Sequence, residues 1–300
     1  MECWFSEGEV GMKAFLALTL LSFCSFFIGG VFLTQADFGG KFKEAFGGTG
    51  KRNYNFNWTK SRDELDKEEE GQILVKDLTD LVLDVDMGEV KISPQTKKVQ
   101  ALTYKIKFKG EESPLNFKRE GDFLEMSLKY KDKKKFFDNE VEVEIFLPPS
   151  SKPLNFTANI KVGSLKLEPG LYFNNFNVDM SAGEMKTEAL SFVKGDISLS
   201  AGELRMKSTD LKEVELDVAG GSLYLEVINS DPIISADVNA GKLEFGTADG
   251  VEKNFTLSAE VSIGELDLVD GYTKTDDDYI YGDGKGRVEL EVDLGEVEVF

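Results

Sequence analysis

The chain of 300 residues contains no histidine. That absence excludes His-dependent triads and dyads, His-ligated metal sites and haem pockets. Its two cysteines, Cys3 and Cys24, both stand near the N-terminus. A disulfide scaffold or thiolate metal site in the bulk of the chain is therefore excluded too. Cations are also scarce: 35 Lys and Arg against 55 Asp and Glu give a formal net charge of −20. A chain of that sign repels polyphosphate, so no nucleic-acid partner is expected. Neutral, cationic or ion-bridged partners fit better.

What is present begins with one long apolar run, Ala14–Leu33, flanked by Lys13 and Asp37. A helix of that length, at about 1.5 Å per residue, spans a hydrocarbon core of about 30 Å. Thr34-Gln35-Ala36 is a weak cleavage signal, and secretory signals carry a shorter apolar core. The reading is a 1–13 flank, an uncleaved transmembrane signal-anchor over 14–34 and a Gly-, Lys- and Glu-rich juxtamembrane linker over 35–75. Lys41, Lys43, Lys51 and Arg52 follow the run. Taken literally, the positive-inside rule would hold the rest of the chain in the cytoplasm. Long domains translocate despite such charges, and the thiol-free remainder suits an extracytoplasmic location, which is the expectation.

From Lys76 the chain alternates polar and apolar residues in short runs bounded by Gly, Asp and Asn, the pattern of strands and turns. It also repeats. Aligned on Gly88, Gly163, Gly183, Gly202, Gly221, Gly241, Gly264 and Gly295, the chain shows apolar residues three before and two and four after each glycine, with Thr187 the one polar exception. The residue just before each glycine is also apolar or small, from Met87 to Leu294. Positions −3, −1, +2 and +4 all read as inward. That set changes parity across the glycine, which a straight strand cannot do, so each repeat is strand, glycine corner, strand. From Gly163 the glycine steps are 20, 19, 19, 20, 23 and 31. A period near 20 suits one coil of a β-solenoid, with successive coils stacked at about 4.8 Å. The predicted fold is all-β, a single-stranded β-solenoid over 76–300 behind one transmembrane helix. The stretch 96–153 breaks the period and reads as irregular hairpins capping the N-terminal end. An antiparallel sandwich is the structural rival.

The stretches LVLDVDMGEVKISP, VEVEIFLPPS, SAGEMKTEAL, SAGELRMKS, VAGGSLYLEV, NAGKLEFG and GKGRVELEVDLGEVEVF resemble the bacterial "putative adhesin" family. The resemblance covers about residues 77–300. It implies a β-solenoid of unassigned activity, often behind a membrane segment and in some relatives beside envelope-stress signalling systems, and brings no catalytic residues.

Three features bear on chemistry. The residue after the glycine is acidic at Glu89, Glu184, Glu203, Glu265 and Glu296. In-register stacking would set Glu184 beside Glu203, where a divalent cation could bridge them, although a solvated face is the simpler account. The insertion Asp270–Lys285 holds Asp276, Asp277, Asp278 and Asp283. These are candidate Ca²⁺ ligands whose spacing matches neither an EF-hand nor a Gly-rich calcium repeat. Its Tyr272, Tyr279 and Tyr281 could stack on a sugar or on one another. Asn57, Asn155 and Asn254 head Asn-X-Thr triplets that arise by chance in such strands. Carboxylates are too abundant for any pair to indicate catalysis. The expectation is a non-enzymatic, cofactor-free, membrane-anchored envelope module of adhesin-like binding or structural type. Its partner would be an envelope polymer, a protein or itself. The alternatives are an accessory module in envelope-stress signalling and a membrane-tethered, polymerising cytoplasmic scaffold.

Overall fold

Two-residue alternation lets a strand bury one face and wet the other. In the computed structural model most strands do so; the residues described are 65, 67–75, 78–96, 100–109, 112–130, 141–148, 153–275 and 278–300. No helix occurs among them, and none is long and apolar enough to cross a membrane. Residues 14–34, both cysteines and Asn57 lie outside the described residues.

Among the described residues sixteen strands form one continuous sheet. The N-terminal six are β1 (Lys67–Leu74), β2 (Asp80–Pro94), β3 (Ala101–Phe108), β4 (Leu115–Glu120), β5 (Phe123–Leu128) and β6 (Val141–Leu147). The coils follow as β7 (Leu154–Leu167), β8 (Tyr172–Glu188), β9 (Ser191–Leu199), β10 (Gly202–Val218), β11 (Gly221–Val227) and β12 (Ile233–Thr247). The last four are β13 (Phe255–Leu268), β14 (Thr273–Lys274), β15 (Tyr279–Ile280) and β16 (Gly286–Val299). From β2 to β16 the repeat strands pair in parallel, glycine opposite glycine. The solenoid is thus a stack of strand–corner–strand coils, and the sandwich reading fails because its strands would pair antiparallel.

The corner needs glycine for two reasons. Its φ lies between 134° and 152° at all eight positions, a region L side chains rarely adopt. The coils also approach one another there: a Cβ on Gly202 would fall 1.8 Å from the carbonyl oxygen of Gly183. Inward positions −3, +2 and +4 then run as apolar columns. Leu165, Met185, Leu204, Leu223 and Leu243 stack at no more than 1% exposure, each burial contributing about 1.5–3 kcal/mol. Thr187 stands in such a column, and its buried hydroxyl has no hydrogen-bond partner, as is also true of Thr209.

Four expectations are corrected. Position −1 is not inward: Met87, Val162, Ala182 and Ala240 are half-buried, while Ile263 and Leu294 are 67% and 48% exposed. The parity change is spread from −3 to +2, which turns −1 to the outside of the bend. The stack also does not follow chain order. β16 sits between β12 and β13, so the glycines run 241, 295, 264. The steps of 23 and 31 supply the extra chain for this: 248–254 passes over one layer, and the insertion brings the chain back. The folded unit begins before residue 76, because β1, inside the expected linker, pairs antiparallel with β3. Finally, 96–153 is more regular than expected. β5 and β6 pair in parallel with the two arms of β2 and act as one more coil, on which β4 and β3 build antiparallel.

Candidate binding surfaces

Outward positions form columns as regular as the core. After the glycine, the +1 column runs Glu89, Ser164, Glu184, Glu203, Ser222, Lys242, Glu296, Glu265. Glu184 and Glu203 are neighbours, as expected; Glu296 and Glu265 are a second acidic pair, created by the position of β16. The +3 column beside them opens with four cations, Lys91, Lys166, Lys186 and Arg205. Lys186 pairs with Glu184. Lys166 and Lys91 reach Glu168 at 3.0 and 3.2 Å, and their hydrogen bonds hold its carboxyl below the usual range. Further along, Lys242 gathers Glu298 at 2.6 Å, Glu244 at 2.9 Å and Glu296 at 3.8 Å. Burial works against its charge, but these hydrogen bonds raise its pKa. Lysines thus meet several of the carboxylates on this flank, while no ion pair to Glu203 occurs among the described residues.

The flank before the glycine is different. Its −4 column runs Asp84, Asn159, Asp179, Ser198, Asp217, Asp237, Glu291, Glu260. At the N-terminal end cations answer it: Lys129 pairs with Asp84, and Lys161 lies 2.7 Å from Asp86. Toward the other end Asp217, Asp237, Glu291, Glu260 and Asp293 have no ion-pair partner among the described residues. Burial, then the charges of Asp217 and Asp293, push the Asp237 carboxyl up. The sequence signal for this ladder exists, since −4 is acidic in six of eight repeats against five at +1.

The insertion Asp270–Lys285 forms the β14–β15 hairpin, whose second strand pairs with the first residues of β13. Tyr281 is buried, packs on Phe255 at 5.1 Å and donates its hydroxyl to the Val269 carbonyl at 3.0 Å. Burial, then Tyr272, Tyr279 and Asp270, push it up to about 12. Tyr272 meets Tyr279 and Tyr281 edge-on, so these rings pack on one another. Of the Ca²⁺ candidates, Asp276 and Asp277 lie outside the described residues. Asp283 lies 2.5 Å from Lys285, whose hydrogen bond holds its carboxyl down, and its backbone N–H donates to Asn254 at 2.6 Å. Asp278 lines a cleft of about 430 Å³ with Thr256, Lys285, Arg287 and Glu289. Among the described residues no group of three or more acids or thiols is placed to hold a metal ion. Asn155 donates to Asp80 at 3.0 Å, which gives that asparagine a structural partner.

With stacked glycine corners and outward columns in view, the match to known proteins is specific. Residues 78–292 match the model of the Toastrack DUF4097 family. This chain belongs to that family. The match covers the coils of the Toastrack domain from β2 into β16 and leaves β1 outside it. No curated protein matches the chain. Among solved structures, the chain is similar to a "putative cell adhesion protein" of Clostridium sporogenes at 16% identity, covering 78% of this chain and 99% of that one with a TM-score of 0.37. A "putative adhesin" of Bacteroides fragilis matches at 12% identity over 79% and 99%, TM-score 0.38. A "putative lipid binding protein" of Parabacteroides distasonis matches at 14% over 78% and 94%, TM-score 0.37.

Proposed function

We propose that the chain is a non-enzymatic binding module of the cell envelope, tethered through residues 14–34, whose Toastrack domain presents an acidic flank to a cationic or ion-bridged partner. The observation that carries this reading is the ladder Asp217, Asp237, Glu291 and Glu260, held one strand apart on a rigid stack. A repeat fold turns one outward residue into a continuous column, a surface suited to an extended polymer or polypeptide. Like charges at about 4.8 Å repel, and a counter-charged ligand relieves the repulsion.

Two measurements test it. Proteolysis of intact cells, with lysed cells as control, is expected to cut within 76–300; protection until lysis overturns the envelope placement. Binding of the full chain to isolated envelope material is expected to weaken about tenfold in Asp217→Lys/Asp237→Lys/Glu291→Lys. Unaltered binding removes the flank from the function.

A further inference from the structure

The last layer of the stack, β13, is unfinished. One edge pairs with β16 along its length, while on the other, among the described residues, only Thr256 and Leu257 are paired, with β15. The backbone from Ser258 to Leu268 thus offers an edge that no other described strand pairs with. Its inward residues are also uncovered. Leu266 is 36% exposed, whereas Val297, Leu243 and Leu223 of the same column are exposed by 0–1%. Ala259, Val261 and Leu268 are only partly buried. The β14–β15 hairpin covers Phe255 and Val269 through Tyr281 and stops short of the corner.

We infer that this edge binds a partner polypeptide as one further parallel coil. The occupant is an extended segment with apolar residues facing Ala259, Val261, Leu266 and Leu268, Lys or Arg on its outward positions, and glycine opposite Gly264. Each element of that description comes from the edge. The inward columns ask for alternating apolar side chains. The outward residues of β13 are Glu260, Glu265 and Asp267, none with an ion-pair partner among the described residues. Behind them lie Glu291, Asp293 and Glu296 on β16, so basic residues complement this end. Glycine is required by the corner: at seven successive contacts a Cβ would fall 1.6–2.0 Å from the carbonyl oxygen of the preceding glycine, and Gly264 presents its carbonyl to the next layer. A second copy of this chain is the poorer occupant, because antiparallel pairing of two β13 edges sets Glu260 and Glu265 against like charges. The inference deepens the binding-module reading and rests on it, but it places the partner at the end of the stack rather than on its flank.

The probe is a fluorescent peptide, Lys-Val-Lys-Val-Lys-Ala-Gly-Lys-Val-Lys-Val, titrated against the detergent-solubilised full chain at about 0.15 M salt and followed by anisotropy. Saturable binding is expected. Replacing the peptide glycine by alanine should weaken it about tenfold or more at unchanged charge. Glu260→Lys/Asp267→Lys, which touches only outward residues, should weaken it comparably at unaltered melting temperature. Asp217→Lys/Asp237→Lys should leave peptide binding nearly unchanged, so that failure at the flank and failure at the end are told apart. Equal affinity of the glycine and alanine peptides shows charge attraction alone and overturns the proposal. So does full binding by the double variant, or sedimentation of the chain as a dimer that Val261→Lys dissociates.

Discussion

At the first repeat, β2 is covered on both arms: β5 lies against its leading half, β6 against its trailing half, and β4, β3 and β1 build outward from these. The two outer edges meet where Tyr104 contacts Phe117 at 4.7 Å and Arg119 donates to the Leu74 carbonyl. The outermost strand, β1, carries Glu68, Glu69 and Glu70, and in it only Ile73 packs on the core. At the last repeat, β13 has a short hairpin over one end and, among the described residues, nothing over its corner or trailing arm. The contrast teaches that identical repeat chemistry does not finish a solenoid. Covering an apolar end takes added strands whose outer positions are charged, as at β1. The N-terminal end has them, and at the C-terminal end no described strand covers the columns.

Variants can sharpen that comparison. The largest effect belongs to the middle of the stack: Gly202→Val puts a Cβ on the Gly183 carbonyl and should abolish the cooperative melting transition. Gly88→Ala, where the nearest atom is the Val141 carbonyl oxygen at 2.9 Å, should melt early but remain folded. An equal loss in both would mean that the layers at β2 are as tightly stacked as those inside. Next come charges placed in the core columns. Leu204→Asp, fully buried, should cost about 4 kcal/mol or more, while Val261→Asp on the open layer should cost less than about half of that by chemical denaturation. Comparable losses would show that β13 is covered in solution.

Smaller effects concern polar groups. Thr187→Val removes a buried hydroxyl without a partner and should raise stability by about 1 kcal/mol, read from the denaturation midpoint. The smallest pair compares carboxylates from the two halves of the acidic flank. For Asp86, burial works to raise the pKa, but the hydrogen bond and charge of Lys161 hold it below the unfolded value. Its contribution is present above that value and lost as pH falls through the folded pKa. Asp86→Asn should therefore lower the melting temperature at pH 7 and matter less in acid. Asp237 is raised, so its ionised form destabilises at neutral pH and protonation relieves it as pH falls through the folded pKa. Asp237→Asn should raise the melting temperature at pH 7, with the gain fading in acid. Shifts of one sign in both would break the contrast between a compensated and an uncompensated flank.

Much of this architecture was legible in the residues. The apolar columns at −3, +2 and +4 and the glycine corner follow from period and parity. The Glu184–Glu203 contact follows from register alone. Other features left no such mark. Ala189, between β8 and β9, and Ser208, inside β10 where its pairing with β11 shifts register, adopt φ of 50° and 51°, and neither residue type signals a left-handed backbone. Lys242 contacts Glu244 on its own strand and Glu296 and Glu298 on β16, the last 56 residues further along the chain. No local pattern brings those groups together.

By itself, then, the sequence determined which residues are equivalent: a period near 20, an alternation of two and a glycine wherever backbone approaches backbone are local constraints, written once per coil. The tertiary structure decided which equivalents touch. Coils that share one inward pattern offer nearly the same interface to any neighbour, so their order rests on connections and on what remains to be covered. The connection 248–254 and the insertion 270–285 let β16 enter between β12 and β13, and that placement brings Glu265 beside Glu296 and leaves Leu266 at the open end. Periodicity specifies the interface between layers, whereas only the folded chain specifies which layer is last.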